Sequence, residues 1–241
     1  MAYPDIFHVT PITRNAALLA LCEAGDRDLM VSMWRPDQAK MVRGIARKKR
    51  ADHGEFSKWI AAMKAGMEWS STAFPRAEYH RWLEEDFGIW DANATAIMPD
   101  IPGAPSQLND AELLDWGFPI EKGLPVYHMD GPIARLGRML DKYPLVCVAW
   151  TGDPKREPVG CPAFWRRIDE IEAELGADFW HRVHMLRGVA IAGQRPFRRG
   201  GQQHPRARRA SLRLARYPSV LRRARAMARP ENLRRAFGGQ Q

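Results

Sequence analysis

Cysteine is scarce in this chain: Cys22, Cys147 and Cys161 are widely spaced and odd in number. They form no C-x-x-C pair, which argues against a disulfide framework and a cysteine zinc site. Long hydrophobic runs are missing too. A stretch such as Leu145–Trp150 falls far short of the roughly 20 apolar residues that span a bilayer. The opening Met1–Phe7 lacks a charged segment leading into an apolar one, so no secretory signal is expected and a cytoplasmic, reducing setting is the default. Lysine is absent from residues 195–241, which hold 14 arginines and a single acid, Glu231. That segment carries the whole formal charge of +9, because residues 1–194 contain 27 acidic against 23 basic residues. The body is acidic and the tail makes the protein basic.

What is present is globular composition, with 45% hydrophobic and 27% charged residues over 241 positions. That length supports a core of ordinary size. From about residue 95 a strand–helix rhythm sets in. Thr95–Asp100 is short, apolar and ends on a Pro-Asp turn, and Asn109–Trp116 reads as helix with Asn109 as its cap. Leu124–Met129 is a second strand candidate, followed by Gly131-Pro132 and apolar residues at helical spacing (Ile133, Leu136, Met139, Leu140). The strand Leu145–Trp150 leads through Thr151–Pro154 to an amphipathic helix, Pro162–Leu175, stopped by Gly176. Arg182–Ile191 is a further strand. The first half is less regular, with Leu29–Trp34 a strand candidate and Arg76–Glu85 a helix.

Strand then helix, repeated, predicts an α/β fold with a parallel sheet, since each helix returns the chain to start the next strand in the same direction. Open and closed forms both satisfy that pattern. Asp100, His128 and the Thr151-Gly152 turn lie at the C-terminal ends of predicted strands, where such folds gather ligand contacts. Each could also serve as a turn or cap, and Asp52 as the N-cap of a helix beginning near Glu55. Trp82, Trp116 and Trp165 sit on amphipathic helices and are expected to pack, His80 and His181 are expected on helix faces, and Cys147 is expected to be a buried small hydrophobe.

Several stretches together resemble a family. They are Ala51-Asp52-His53-Gly54-Glu55-Phe56, Met98-Pro99-Asp100-Ile101-Pro102-Gly103, Val126–Met129, Val148–Gly152 and Val183–Val189. In order and spacing this set is similar to the tRNA-guanine transglycosylase superfamily, in particular its phage and bacterial branch that inserts 7-deazaguanines into DNA, the deazapurine-in-DNA protein A group. The likeness covers roughly residues 25–194.

The resemblance implies a (β/α)8 TIM-type barrel over residues 1–194, incomplete if residues 195–241 are foreign to it. It also implies a glycosyltransferase that exchanges guanine for a free 7-deazaguanine base through an aspartate-linked intermediate. Carried over by position, Asp52 is the catalytic aspartate that contacts the base and relays its proton, and Asp100 reads the base edge. Phe56 stacks on the base or walls its pocket, Gly54 permits close approach, and His128 and Gly152 stand where base contacts belong. His53 departs from the pattern, which has a smaller residue there. The nucleophile expected after the His184 segment is missing, as no aspartate follows Asp178. That absence puts catalysis by the chain in doubt.

DNA is the expected partner over tRNA, because the clustered cysteines and histidine of the tRNA-modifying branch are lacking. No cofactor, metal or membrane is expected. Lys48, Lys49 and Arg50 read as a solvated surface run and, beside a strand-end site, as candidates for meeting phosphates. The tail has three open readings: a disordered phosphate-gripping arm, an arginine-rich helix around Val220–Ala228, or an out-of-frame translation of a GC-rich gene. Two other functions remain open. One is a noncatalytic nucleic-acid-binding protein acting through the tail, and the other is a barrel glycosidase using Asp52, Glu55 or Asp100.

Overall fold

A computed structural model describes residues 5–9, 28–67, 74–153, 155–191 and 199–201. Among the described residues nine strands form one parallel sheet: β1 (Asp5–Val9), β2 (Asp28–Ser32), β3 (Lys48–Asp52), β4 (Ala94–Ile97), β5 (Gly123–Leu124), β6 (Val126–His128), β7 (Val146–Ala149), β8 (Val183–Met185) and β9 (Arg199–Gly201). Their order is β5-β4-β3-β2-β1-β9-β8-β7-β6, and neighbours in it pair in parallel. The two ends of that order, β5 and β6, are separated in sequence by Pro125 alone, which has no N–H to give a ladder. Its carbonyl accepts from Cys147 N–H at 2.8 Å, while Leu124 C=O accepts from Met98 N–H at 3.0 Å. The chain thus changes pairing partner at the proline, and the predicted strand Leu124–Met129 is split there.

The helices are α1 (Pro36–Ile45), α2 (Glu55–Lys64), α3 (Arg76–Trp82, running on as a π-helical turn over Leu83–Phe87), α4 (Ser106–Leu114), α5 (Ile133–Lys142) and α6 (Pro162–Leu175). Among the described residues none is long and apolar enough to cross a membrane. Helix α6 has both expected ends: Cys161 Sγ accepts from Phe164 N–H at its start, and Gly176 closes it at φ 77°. Helix α4 differs from expectation. It starts at Ser106, and Asn109 lies buried within it, its Oδ1 accepting Ile101 N–H at 2.7 Å. Asn109 therefore ties the helix to the turn after β4 rather than capping it. The predicted strand Arg182–Ile191 shortens to β8, followed by a 3-10 turn over Gly188–Ile191. The sheet also runs past residue 194, since β9 pairs with β1 and β8.

Two apolar clusters lie between strands and helices. One joins β2–β4 to α1 and α3 through Leu29, Val31, Val42, Tyr79 and Leu83; the other joins β6–β8 to α5 and α6 through Tyr127, Val148, Leu136, Phe164 and Trp180. A third, smaller cluster is made almost wholly of strand residues: Phe7, Met30, Ile97, Leu124, Val126 and Cys147, with Leu145. The two faces of β3 explain where its basic residues go. Lys49 faces the helices, where its amine reaches Phe87 C=O at 2.7 Å and Asp91 at 2.5 Å. Arg50 stands over the Phe7 ring at 4.0 Å, and its Nε donates to Thr95 Oγ1 at 3.4 Å. Both residues are 1% exposed.

Candidate functional site

Parallel pairing puts the C-terminal ends of the strands on one side of the sheet, and a cavity of about 860 Å³ opens there. Asp52, His53, Phe56, Asp100, His128, Trp150, Gly152, His184 and Arg187 are among its lining residues. Five positions singled out from sequence, Asp52, Phe56, Asp100, His128 and Gly152, therefore share one cavity although they span a hundred residues.

At the end of β3 the chain makes a tight turn into α2. Asp52 Oδ1 accepts the N–H of Gly54 at 2.9 Å, and Glu55 N–H donates to His53 Nδ1 at 3.3 Å. Gly54 has φ 76°, and a Cβ there would lie 2.7 Å from Ser32 Oγ and press into the Trp34 ring. This glycine is required by the turn and by Trp34, and it is absent from the cavity lining. Asp52 closes the turn rather than capping α2, whose first residue follows Gly54 without a side-chain cap. The Gly54 bond leaves Asp52 Oδ2 for a ligand.

Asp100 follows β4 and is gripped by two imidazoles. His53 Nε2 lies 2.8 Å from its Oδ1, and His128 Nε2, at the end of β6, lies 2.7 Å from its Oδ2. His53 and His128 are buried. Burial alone would raise the Asp100 carboxyl, but the hydrogen bonds from His128 and His53 outweigh it and hold the group far below the usual carboxylate range. Burial works against a charged His53, yet the hydrogen bond and charge of Asp100 raise its pKa. The Glu55 N–H facing Nδ1 opposes that, so the geometry favours a neutral ring that donates from Nε2. Beside it, desolvation raises the buried Glu55 carboxyl.

The expected role of Asp100 as a reader of base edges changes with this arrangement. Both oxygens already accept from imidazoles, so its first effect is to orient His53 and His128. Nothing in the local pattern D-H-G-E-F announces this, because His53 meets its partner 47 residues further along the chain. Among the described residues no cluster of His, Cys, Asp or Glu has the arrangement of a metal site.

Across the cavity, Gly152 accommodates Trp150: a Cβ on the glycine would sit 2.7 Å from the indole Cε2. Trp150 Nε1 donates to Glu157 C=O at 2.7 Å, which fixes the loop after β7. Arg187, which the sequence reading passed over, follows β8 at φ 59° and donates from Nη2 to Trp150 C=O. Its guanidinium lies over the Phe56 ring at 4.0 Å, so one face of Phe56 is already covered. Phe56 is a wall of the cavity more than an open stacking platform.

Lys49 and Arg50 do not face phosphates. Strand β3 carries them into the interior, and the expectation of a basic surface run fails for both; Lys48, half-buried, is the residue of the three nearest to solvent. The arginine-rich segment beyond Gly201 and Cys22 lie outside the described residues. No family model, curated protein or solved structure matches the chain.

Proposed function

We propose that this cavity holds a guanine-type base and that the chain exchanges such a base at an N-glycosidic bond of DNA, as in the 7-deazaguanine-inserting branch of the tRNA-guanine transglycosylase superfamily. The observation that carries the reading is the convergence of Asp52, Phe56, Asp100 and His128 on one cavity at the strand ends. Such a function needs an acceptor-only side chain for the N1–H and 2-amino donors of guanine, and a carboxylate to attack C1′. With Asp100 tied to two imidazoles, Asp52 Oδ2 is the group we assign to the sugar. It would attack C1′ as the C1′–N9 bond breaks, and the departing guanine would take a proton from solvent. The incoming 7-deazaguanine would give its N9 proton back to solvent as that nitrogen attacks C1′ and frees the carboxylate. This assignment fills the place left by the missing aspartate after Asp178. A duplex target has to present its base outside the stack.

The strand order supports a finer reading of the fold. We take the change of partner at Pro125 as the point where an eight-stranded parallel barrel closes, with β5 and β6 as the two parts of one strand. The small strand-lined cluster would then be the barrel interior, and the cavity its mouth.

The test is to express the full chain in cells supplied with free 7-deazaguanine base, digest the DNA and search the nucleosides by mass spectrometry. A 7-deazaguanine deoxynucleoside formed by the natural chain and lost in Asp52→Asn supports the proposal. Product that survives Asp52→Asn removes Asp52 as the nucleophile, and no product from the natural chain sinks base exchange. The rival reading, nucleic-acid binding through the arginine tail, rests on residues outside those described.

A further inference from the structure

The cavity is lined by the carboxylates Asp52, Asp100, Asp130 and Glu157 and also by Arg187, which stands beside Trp150. Arg167, another lining cation, is committed elsewhere: it donates to Met129 C=O at 2.6 Å and to Gly131 C=O at 2.5 Å, and it pairs with Glu170 at 2.7 Å. Arg187 differs. Among the described residues it has no carboxylate partner, and its contacts are the Trp150 carbonyl and the Phe56 ring. Burial depresses its pKa, with no acidic neighbour acting in the other direction. A guanidinium carries five N–H donors, and the Trp150 carbonyl uses few of them.

The backbone adds a second observation. Arg187 is the one non-glycine residue with positive φ among the described residues, at 59°. A side chain held in the left-handed region is strained, and such strain gathers at ligand-binding positions. Here it aims a cation into the cavity while Phe56 supports the flat face of the fork.

We infer that Arg187 receives the phosphate oxygens of a ligand whose base occupies the same cavity, so the site takes a phosphorylated nucleotide unit in preference to a nucleoside. The inference rests on the base-pocket reading above and adds the substrate class to it. Charge complementarity orients the ligand. The anion goes to the guanidinium, whose planar fork matches two phosphate oxygens at once. The cavity volume lies in the range that encloses a whole small ligand.

The experiment is titration calorimetry on the full chain with dGMP, deoxyguanosine and dTMP, comparing the natural protein with Arg187→Gln and Arg187→Lys. The arginine tail is the same in all three proteins, so its phosphate affinity cancels in the comparison. The natural chain should bind dGMP about tenfold or more tighter than deoxyguanosine, as expected for a charge-assisted contact. Arg187→Gln should erase that difference, and Arg187→Lys should keep part of it. An unchanged dGMP preference in Arg187→Gln, or no preference in the natural chain, overturns the inference. Deoxyguanosine binding that depends on Asp52, without any gain from phosphate, would leave the base reading standing while this inference fell. Equal, Arg187-dependent binding of dTMP and dGMP would keep the phosphate subsite and remove the guanine reading.

Discussion

On the β3–β4 side of the cavity side chains hold one another: Asp100 accepts from His53 and His128, and Asp52 closes the turn that carries His53. On the β7–β8 side the backbone and ring packing do that work. Trp150 is anchored through Glu157 C=O, Gly152 makes room for its indole, and Arg187 is held by Trp150 C=O and the Phe56 ring. The first side is a buried charge with its donors, so removing a partner leaves a polar group stranded. The second is adjustable, because a displaced guanidinium can find water. The first side should therefore dominate stability, and the second should act mainly on what the cavity accepts.

The largest expected effect is Asp100→Asn. The amide keeps one acceptor but turns an NH2 toward the other imidazole, and losing a hydrogen bond to a buried charge costs about 2–3 kcal/mol. Urea unfolding at neutral pH should show that loss, and a loss under about 1 kcal/mol would mean that the two histidines are held by something else. The same variant carries a pH signature. The folded-state pKa of Asp100 is depressed, so its stabilisation is present above the unfolded value of about 3.9 and is lost as pH falls toward the lower folded value. Asp100→Asn should flatten the acid limb below about pH 4 while lowering stability above it.

Next comes a matched pair of glycine substitutions. Gly54→Ala meets both a left-handed backbone and the side chains of Ser32 and Trp34, for a cost of about 2 kcal/mol, most of it from the backbone. Gly152 lacks the positive φ, and its obstacle is the half-buried Trp150 indole, so Gly152→Ala should cost about 1 kcal/mol. Thermal melts of the two variants compare the sides directly. A larger loss at Gly152 would reverse the contrast.

That contrast also governs how much was legible beforehand. Helix α6 could be read to the residue because its start, amphipathic period and glycine stop are all local, and the parallel strand–helix alternation followed from the same kind of signal. Elements fixed by distant partners could not be read. Asn109 looked like a cap because Asn prefers caps, but the turn at Ile101 gave it a better use. Lys49 and Arg50 looked like surface because lysine and arginine seldom go inside; Asp91, Phe87, Thr95 and Phe7 make the exception, and all lie more than 35 residues away. The strand ends carrying Asp52, Asp100 and His128 were visible as positions. Their hydrogen bonding was not, since a sequence shows which residues stand at a rim but not which of them touch. Arg187 was hidden for the opposite reason: its partners are a carbonyl and a ring, which leave no charge pattern to find.

The smallest effect tests a contact that joins the two sides. Arg187 over Phe56 ties the β8 loop to α2, and a partly exposed cation–π pair is worth about 0.5–1 kcal/mol. Phe56→Leu keeps an apolar wall but removes the ring, and Arg187→Gln removes the charge, so each should lower stability by no more than about 1 kcal/mol. The double variant decides between packing and coupling. If the stack is the link, the two losses should fall short of adding by about 0.5–1 kcal/mol in urea unfolding. Additive losses would mean that the two sides meet without bracing each other, and that the orientation of Arg187 is set by the Trp150 carbonyl and its own left-handed backbone.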